Sequence, residues 1–130
     1  MVIDSSAIIA ILFDEPEARA FLSEMAMAGV CRLSAASVVE VGIVLRREAA
    51  PRRREAFAEM LRLFSIRVEP VTEAQAYAAI EAYDRFGKGT GHAAGLNYGD
   101  CFSYALAKQI DEPLLFKGHD FTHTDVEAVR

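Results

Sequence analysis

Three acidic residues of this chain lie in apolar stretches, where an isolated charge is unfavourable. Asp4 interrupts the apolar opening of the chain, Glu40 is the only charge in Val38–Leu45, and Asp100 heads another apolar run. A buried carboxylate costs several kcal/mol unless a partner compensates it, and no Lys or Arg lies at a helical spacing from any of the three. If the fold brings them together, a divalent cation is the simplest compensator. The sequence therefore indicates a metal-dependent enzyme.

Short apolar segments of strand length alternate with helical patterns along the chain. This alternation predicts parallel strand pairing with helices on both faces of the sheet, and continuous apolar strands are typical of a sheet covered on both sides. We therefore expect a single domain over residues 1–130, folded as a three-layer α/β/α sandwich with a short parallel sheet. Strands are predicted at Val2–Ile3, Val30–Leu33, Ile66–Val71 and Pro113–Phe116, with a short fifth at Val126–Val129.

Capping residues and apolar spacing predict how three of the helices begin or pack. Asp14 is predicted to cap the second helix, and Asn97 can cap the helix that contains Asp100. Thr72 is predicted to open a later helix whose Tyr77, Ile80 and Tyr83 face the core.

Four acids are predicted to lie at one edge of this sheet, because sites in open parallel sheets form beyond the carboxyl ends of the strands. Asp4 ends the first strand, and Glu40 lies in the second turn of the helix after the second strand. Asp100 lies in the first turn of the helix before the fourth strand, and Asp120 follows that strand. Each acid has an ordinary alternative: Asp4 can cap a helix, Asp100 can complement a helix dipole, and Asp120 lies in a polar loop. Together they predict a metal site.

The composition is that of a soluble cytoplasmic domain. Of the 130 residues, 52% are hydrophobic and 25% are charged, and no run reaches the roughly 20 apolar residues that a membrane helix needs. The two cysteines, Cys31 and Cys101, have no metal-ligand spacing and fit a reducing compartment. We therefore expect a cytoplasmic protein without a membrane partner.

The charge is unevenly distributed along the chain. The net charge of −5 argues against a general DNA-coating protein. Residues 46–67, however, contain seven arginines against three acids. This segment is either a solvated helix face or a local surface for a polyanion beside the acidic site.

Several segments of the chain resemble the motifs of the PIN-domain family, and most closely those of its VapC-type ribonuclease toxins. The matching segments are Met1–Ala7, Ser34–Glu40 and Gly95–Ala107, and Leu114–Gly118 with Asp120 resembles the C-terminal motif of that branch. The resemblance implies a Mg²⁺-dependent endoribonuclease, in which Mn²⁺ is expected to substitute. It also implies a homodimer that is held inactive by a small VapB-like antitoxin.

The resemblance also assigns residues to the site. It implies that the metal-site acids are Asp4, Glu40, Asp100 and Asp120, with Asp125 as a competitor for the fourth role. Supporting positions beside the site are Ser6 and Asn97.

An RNA substrate has to approach an acidic pocket, so basic side chains are expected around its rim. A non-catalytic PIN-like module that binds nucleic acid or a partner is an alternative, although such modules usually lack one or more site acids. A DNA-directed nuclease is another, since metal chemistry on a phosphodiester does not itself read the 2′-hydroxyl. A receiver-type signalling domain is disfavoured, because the predicted third strand ends without an Asp. The candidate RNA contacts are Arg46, Arg47, Arg52, Arg53 and Arg54, together with Lys88 and Lys117 nearer the scissile phosphate.

Overall fold

A parallel β-sheet forms the centre of the protein. The computed structural model describes residues 1–49 and 51–129. The strands within them are β1 (Val2–Ile3), β2 (Arg32–Ser34), β3 (Arg67–Glu69) and β4 (Leu114–Leu115). Their spatial order is β3-β2-β1-β4, and every pairing is parallel. The carboxyl ends of the strands therefore meet at one edge of the sheet.

Helices cover both faces of this sheet. Neighbouring residues of β1 and β4 point to opposite sides, so Val2 and Leu114 pack in one core cluster and Ile3 and Leu115 in another. The helices are α1 (Ser5–Leu12), α2 (Ala18–Met27), α3 (Ala35–Arg47), α4 (Pro51–Leu63), α5 (Glu73–Phe86) and α6 (Tyr98–Ile110). The first cluster is completed by α5 and α6, and the second by α1 to α4. This arrangement confirms the predicted three-layer α/β/α architecture. None of the described helices is long and apolar enough to cross a membrane.

The predicted fifth strand at Val126–Val129 is reduced to an isolated bridge. Ala128 pairs in parallel with Leu114. The Leu114 N–H donates to the Glu127 carbonyl at 2.8 Å, and the Val129 N–H donates to the Leu114 carbonyl at 3.0 Å. Because β4 is only two residues long, its outer edge has room for one such pairing.

The inward face of α5 differs from the predicted one. Tyr77, Ile80 and Tyr83 are 66%, 59% and 40% exposed, so their predicted burial is wrong. The core contacts of α5 include the small side chains of Ala79 and Ala82. Their size lets the helix lie close against its neighbour α6 and leaves Tyr77, Ile80 and Tyr83 outside, while Phe86 at the end of the helix is buried.

Asp14 does not cap α2, so that prediction is also wrong. Its φ of 54° places it in the left-handed region, which Asp adopts more readily than most residues. The helix begins only at Ala18, with Glu17 at the N-cap position and without a side-chain cap. Asp14 therefore contributes to the turn after α1 through its left-handed backbone conformation, not through its side chain.

Candidate active site

Asp4 lies where β1 ends and α1 begins, and three neighbours fix its position. Its N–H donates to the Leu115 carbonyl of β4 at 2.8 Å, which sets the residue at the carboxyl edge of the sheet. Its Oδ2 accepts the Ser6 N–H at 2.9 Å, so Asp4 is the N-cap of α1. Its Oδ1 accepts the Ser103 hydroxyl of α6 at 2.6 Å. The side chain is buried, and each of its two oxygens accepts a hydrogen bond from the protein.

Asp100 is held by a reciprocal cap at the start of α6. Asn97 Oδ1 accepts the Asp100 N–H at 3.0 Å, and Asp100 Oδ2 accepts the Asn97 N–H at 2.8 Å. Asn97 is therefore the N-cap that its sequence position predicts. The capping box satisfies two N–H groups that the helix itself leaves unpaired. It also fixes the orientation of the Asp100 carboxylate, which is buried.

Glu40 reaches this edge from α3, and its carboxylate lies against the backbone of Gly99. A Cβ built on Gly99 would lie 2.4 Å from Glu40 Oε2 and 2.9 Å from its carboxyl carbon. Only a residue without a side chain leaves this space free. Gly99 is thus a site residue that the analysis of charges in the sequence missed, because nothing in its local pattern indicates the contact.

The pKa values of two acids show that the carboxylates share one region. Burial raises the pKa of Asp100 to about 7, and the charges of Asp4, Asp120 and Glu40 add to the increase against the lowering effect of the Asn97 N–H. The pKa of Glu40 is also raised, first by burial and then by Asp4, while the Ser5 hydroxyl lowers it. In the described part of the chain, none of these four acids is ion-paired with Lys or Arg. The site therefore concentrates uncompensated negative charge.

Asp120 and Asp125, the two candidates for the fourth acid, have different surroundings. Asp120 contributes to the raised pKa of Asp100, and Asp125 is not among the charges that do. Asp125 instead accepts the hydroxyl of Tyr104 and pairs with Arg85 at 3.3 Å and with Lys108 at 3.6 Å. Its role is to anchor the C-terminal segment to α5 and α6.

The hydroxyl of Ser6 contacts the backbone that follows β4. It accepts the Lys117 N–H at 3.0 Å, and so ties α1 to the segment after β4 that contains Asp120. Ser6 still supports Asp4, but through its backbone N–H. The side-chain hydroxyl that contacts Asp4 belongs to Ser103, which local sequence reasoning missed.

Two of the predicted RNA-contacting residues are engaged within the protein. Arg53 Nε donates to the Leu12 carbonyl at 2.9 Å, and its guanidinium lies 4.2 Å from the centre of the Phe13 ring. Lys117 forms an ion pair with Glu15. The exposed candidates are Arg46, Arg47, Arg52, Arg54 and Lys88. Of these, Arg47 lines a cleft of about 330 Å³ together with Glu40, Tyr98 and Gly99.

The donor chemistry of this edge suits a hard cation. The side chains offer carboxylate oxygens, which Mg²⁺ prefers, and Mg²⁺ usually keeps several waters and takes only one or two carboxylates. Within residues 1–49 and 51–129, no group of three or more His, Cys, Asp or Glu side chains is placed to hold a metal ion. A cation at this edge of the sheet would therefore be held by one or two carboxylates and keep most of its waters.

Comparison with known proteins places the chain in a family. The PIN domain family matches residues 1–127. Ribonuclease VapC28 of Mycobacterium tuberculosis is 54% identical to the chain over 127 residues, which cover 98% of this chain and 96% of the relative. The chain therefore belongs to the PIN domain family and groups within it with the VapC ribonucleases, as its motifs indicated.

Solved structures show the same fold. The crystal structure of VapC20 of Mycobacterium tuberculosis, described as a Sarcin-Ricin loop cleaving toxin, has a TM-score of 0.78 at 21% identity and covers 99% of this chain and 98% of that one. A toxin–antitoxin complex from Klebsiella pneumoniae has a TM-score of 0.71 at 15% identity, with 98% and 95% coverage. These likenesses establish the architecture.

The raised pKa of Asp100 predicts a pH-dependent stability in the presence of a chelator. An unfolded Asp has a pKa of about 3.9, whereas the folded value is about 7. Between these pH values the folded state holds a proton that the unfolded chain has lost, so the free energy of unfolding falls as the pH rises. We expect the melting temperature to decrease from pH 5 to pH 8, and less steeply in Asp100→Asn.

The Asn side chain keeps an oxygen that can accept the Asn97 N–H, so the variant should retain the helix cap. Melting curves followed by circular dichroism in EDTA provide the measurement. An equal slope in the wild-type protein and Asp100→Asn would contradict the assignment of this pH dependence to Asp100.

Proposed function

We propose that the protein is a Mg²⁺-dependent endoribonuclease that acts as the toxin of a toxin–antitoxin pair. The observation that carries the proposal is the convergence of four acids at the carboxyl edge of the sheet, where the charges of Asp4, Glu40 and Asp120 raise the pKa of Asp100 and that of Asp4 raises the pKa of Glu40. Membership of the PIN domain family and the 54% identity to a protein named as a VapC ribonuclease support the same activity.

The four acids have different parts in the proposed mechanism. Asp4 and Asp100 are the direct ligands, because both are buried and held in fixed orientation by hydrogen bonds from the protein side. Glu40 and Asp120 act through waters or hold a second ion. A Mg²⁺ ion held there would supply Lewis-acid polarisation of the scissile phosphate and a water of lowered pKa for in-line attack. The carboxylates would orient the attacking water by accepting its hydrogen bonds.

The substrate contacts come from basic groups around this acidic centre. Arg47 lies beside the site and shares a cleft with Glu40, so it is our first candidate for a phosphate contact. Arg46, Arg52, Arg54 and Lys88 are exposed and can contact the RNA backbone further away. Single-stranded loops suit such a cleft, because their splayed backbone can bend into it.

We further propose that the protein is a homodimer and that it binds a VapB-like antitoxin. The proposal of an antitoxin is supported by the grouping of this chain with VapC proteins and by a structural neighbour that is a toxin–antitoxin complex. The dimer is supported by an exposed apolar surface, here called the α3/α5/α6 face. Its residues Tyr98 and Phe102 line one cleft with Val39 and Ile43 and a second cleft with Ile80 and Tyr83.

A second copy of the chain is the simplest occupant of the α3/α5/α6 face, since an isologous interface is the commonest form of oligomer.

The dimer prediction is tested by changing the α3/α5/α6 face at a distance from the acids. Ile80 is 59% exposed, and Ile80→Glu places a charge in the proposed apolar contact. We expect a dimer in the wild-type protein and a monomer in this variant, measured by light scattering after size-exclusion chromatography. Leu63→Glu is the control, because Leu63 is 63% exposed on α4, outside the face. A monomeric wild-type protein would contradict the proposal.

The ribonuclease activity is tested by cleavage of cellular RNA across a Mg²⁺ titration, with protein separated from any bound antitoxin under denaturing conditions and refolded. We expect Mg²⁺-dependent fragments from the wild-type protein. Asp4→Asn and Asp100→Asn should reduce cleavage by at least about 100-fold, since each removes a ligand charge from the reacting centre. A matched single-stranded DNA substrate reports whether the nuclease is selective for RNA.

Retained Mg²⁺-dependent cleavage in both variants would show that the site is wrongly assigned. A folded wild-type protein that cleaves neither RNA nor DNA would instead favour a non-catalytic binding module.

The close contact between Gly99 and Glu40 predicts that a single methyl group impairs catalysis. In Gly99→Ala the new Cβ would lie 2.4 Å from Glu40 Oε2, so the Glu40 carboxylate has to move. A displacement of about 1 Å at a reacting centre can cost about 100-fold in rate, and we expect a loss of this order. Gly42→Ala is the control. Gly42 lies on the same helix as Glu40, and a Cβ built on it would meet no atom within 4 Å. Equal cleavage by both variants would contradict a role for Gly99.

A further inference from the structure

A layer of buried hydroxyl groups lies beneath the acids. Ser37 is three residues before Glu40 on α3, and Ser103 is three residues after Asp100 on α6. Positions three apart share a face of a helix, so each serine lies one turn below an acid. Ser37 and Ser103 are 1% and 0% exposed, and their hydroxyl oxygens lie 3.3 Å apart.

The hydrogen bond between the two serine hydroxyls has a defined direction. Ser103 donates its proton to Asp4 Oδ1 at 2.6 Å, since an ionised carboxylate can only accept. Ser103 Oγ is then free only to accept, so the proton between the two serines comes from Ser37. The chain of hydrogen bonds therefore runs from Ser37 through Ser103 to Asp4. A donor polarised in this way is a stronger partner for a carboxylate than an isolated hydroxyl.

This chain links the elements that hold three of the acids. Asp4 follows β1, Ser37 belongs to the helix of Glu40, and Ser103 belongs to the helix of Asp100. The Ser6 N–H holds the other oxygen of Asp4 at 2.9 Å. With one donor on each oxygen, rotation of the Asp4 carboxylate is restricted, and each oxygen keeps a further lone pair for another partner.

We propose that Ser103, with Ser37 behind it, is a positioning residue that sets the Asp4 carboxylate for a divalent cation. The inference rests on the proposed function and adds two residues to its site. Groups that hydrogen-bond to metal ligands typically contribute 10–100-fold to metal affinity or activity. The hydroxyl orders the ligand before the cation arrives, so its loss weakens binding without changing the ligand set.

The test is a titration of the refolded protein with MgCl₂, and separately with MnCl₂, followed by the rise in melting temperature. Ser103→Ala should raise the half-saturating concentration about tenfold. Ser37→Ala should raise it by a smaller factor, since its hydroxyl acts only through Ser103. The double variant should match Ser103→Ala alone, because removal of Ser103 disconnects Ser37 from Asp4.

Ser34→Ala is the matched control. Ser34 is equally buried, at 1% exposure, but its hydroxyl caps α3 by accepting the Ala36 N–H at 3.3 Å. We expect this variant to melt at a lower temperature and to keep the wild-type half-saturating concentration. A general loss of packing would therefore be distinguished from a loss of positioning.

RNA cleavage by the same variants gives a second measurement. In Ser103→Ala the cleavage rate should fall at low Mg²⁺ and recover at high Mg²⁺, with the KM for RNA unchanged. Ser34→Ala, which is destabilised without a change at Asp4, should keep the wild-type Mg²⁺ dependence of cleavage. If Ser103→Ala fails to fold by circular dichroism, Ser37→Ala alone decides the question by the same titration.

The possible failures can be told apart. An unchanged half-saturating concentration in the folded serine variants, with wild-type protein that cleaves RNA, would overturn the positioning role and leave the proposed function intact. Wild-type protein that shows neither cation-dependent stabilisation nor cleavage would overturn both.

Discussion

The concentration of carboxylates at the carboxyl edge of the sheet is the constraint on which the rest of this structure depends. Asp4 and Asp100 are buried, Glu40 is partly buried, and no basic side chain of the described residues pairs with them. Such an arrangement opposes folding in the absence of a cation, because burial and mutual repulsion both disfavour the ionised forms. The fold offsets part of this cost with N–H and hydroxyl donors aimed at individual oxygens.

Those donors join the architecture to the site. Asp4 caps α1 and Asp100 completes the capping box of α6, so each acid lies at the positive end of a helix dipole, which favours negative charge. The hydrogen bonds that begin two helices are therefore the same ones that orient two proposed metal ligands. Replacing either acid with its amide changes the charge and retains an acceptor for the cap. Structural and chemical roles can be separated experimentally for this reason.

Local sequence was informative wherever a residue conflicted with its immediate surroundings or followed a capping rule. The acids at positions 4, 40 and 100 were conspicuous because their neighbours are apolar, and Asn97 was identifiable as a cap by its place before a helix. The alternation of strands and helices predicted the three layers. Local sequence failed for α5, where the buried residues include Ala79 and Ala82. The weak hydrophobic signal of these alanines could not compete with that of the exposed Tyr77, Ile80 and Tyr83.

The sequence by itself determined the family, the layered α/β fold and the identities of the acids, because those features depend on residue type and on spacing within a few turns. The tertiary structure decided which partners these residues have. It brought Ser103 to Asp4 across 99 positions of the chain and Gly99 against Glu40, and it engaged Arg53 and Lys117 in contacts within the protein. Such contacts depend on the packing of whole elements against one another, which no local pattern encodes.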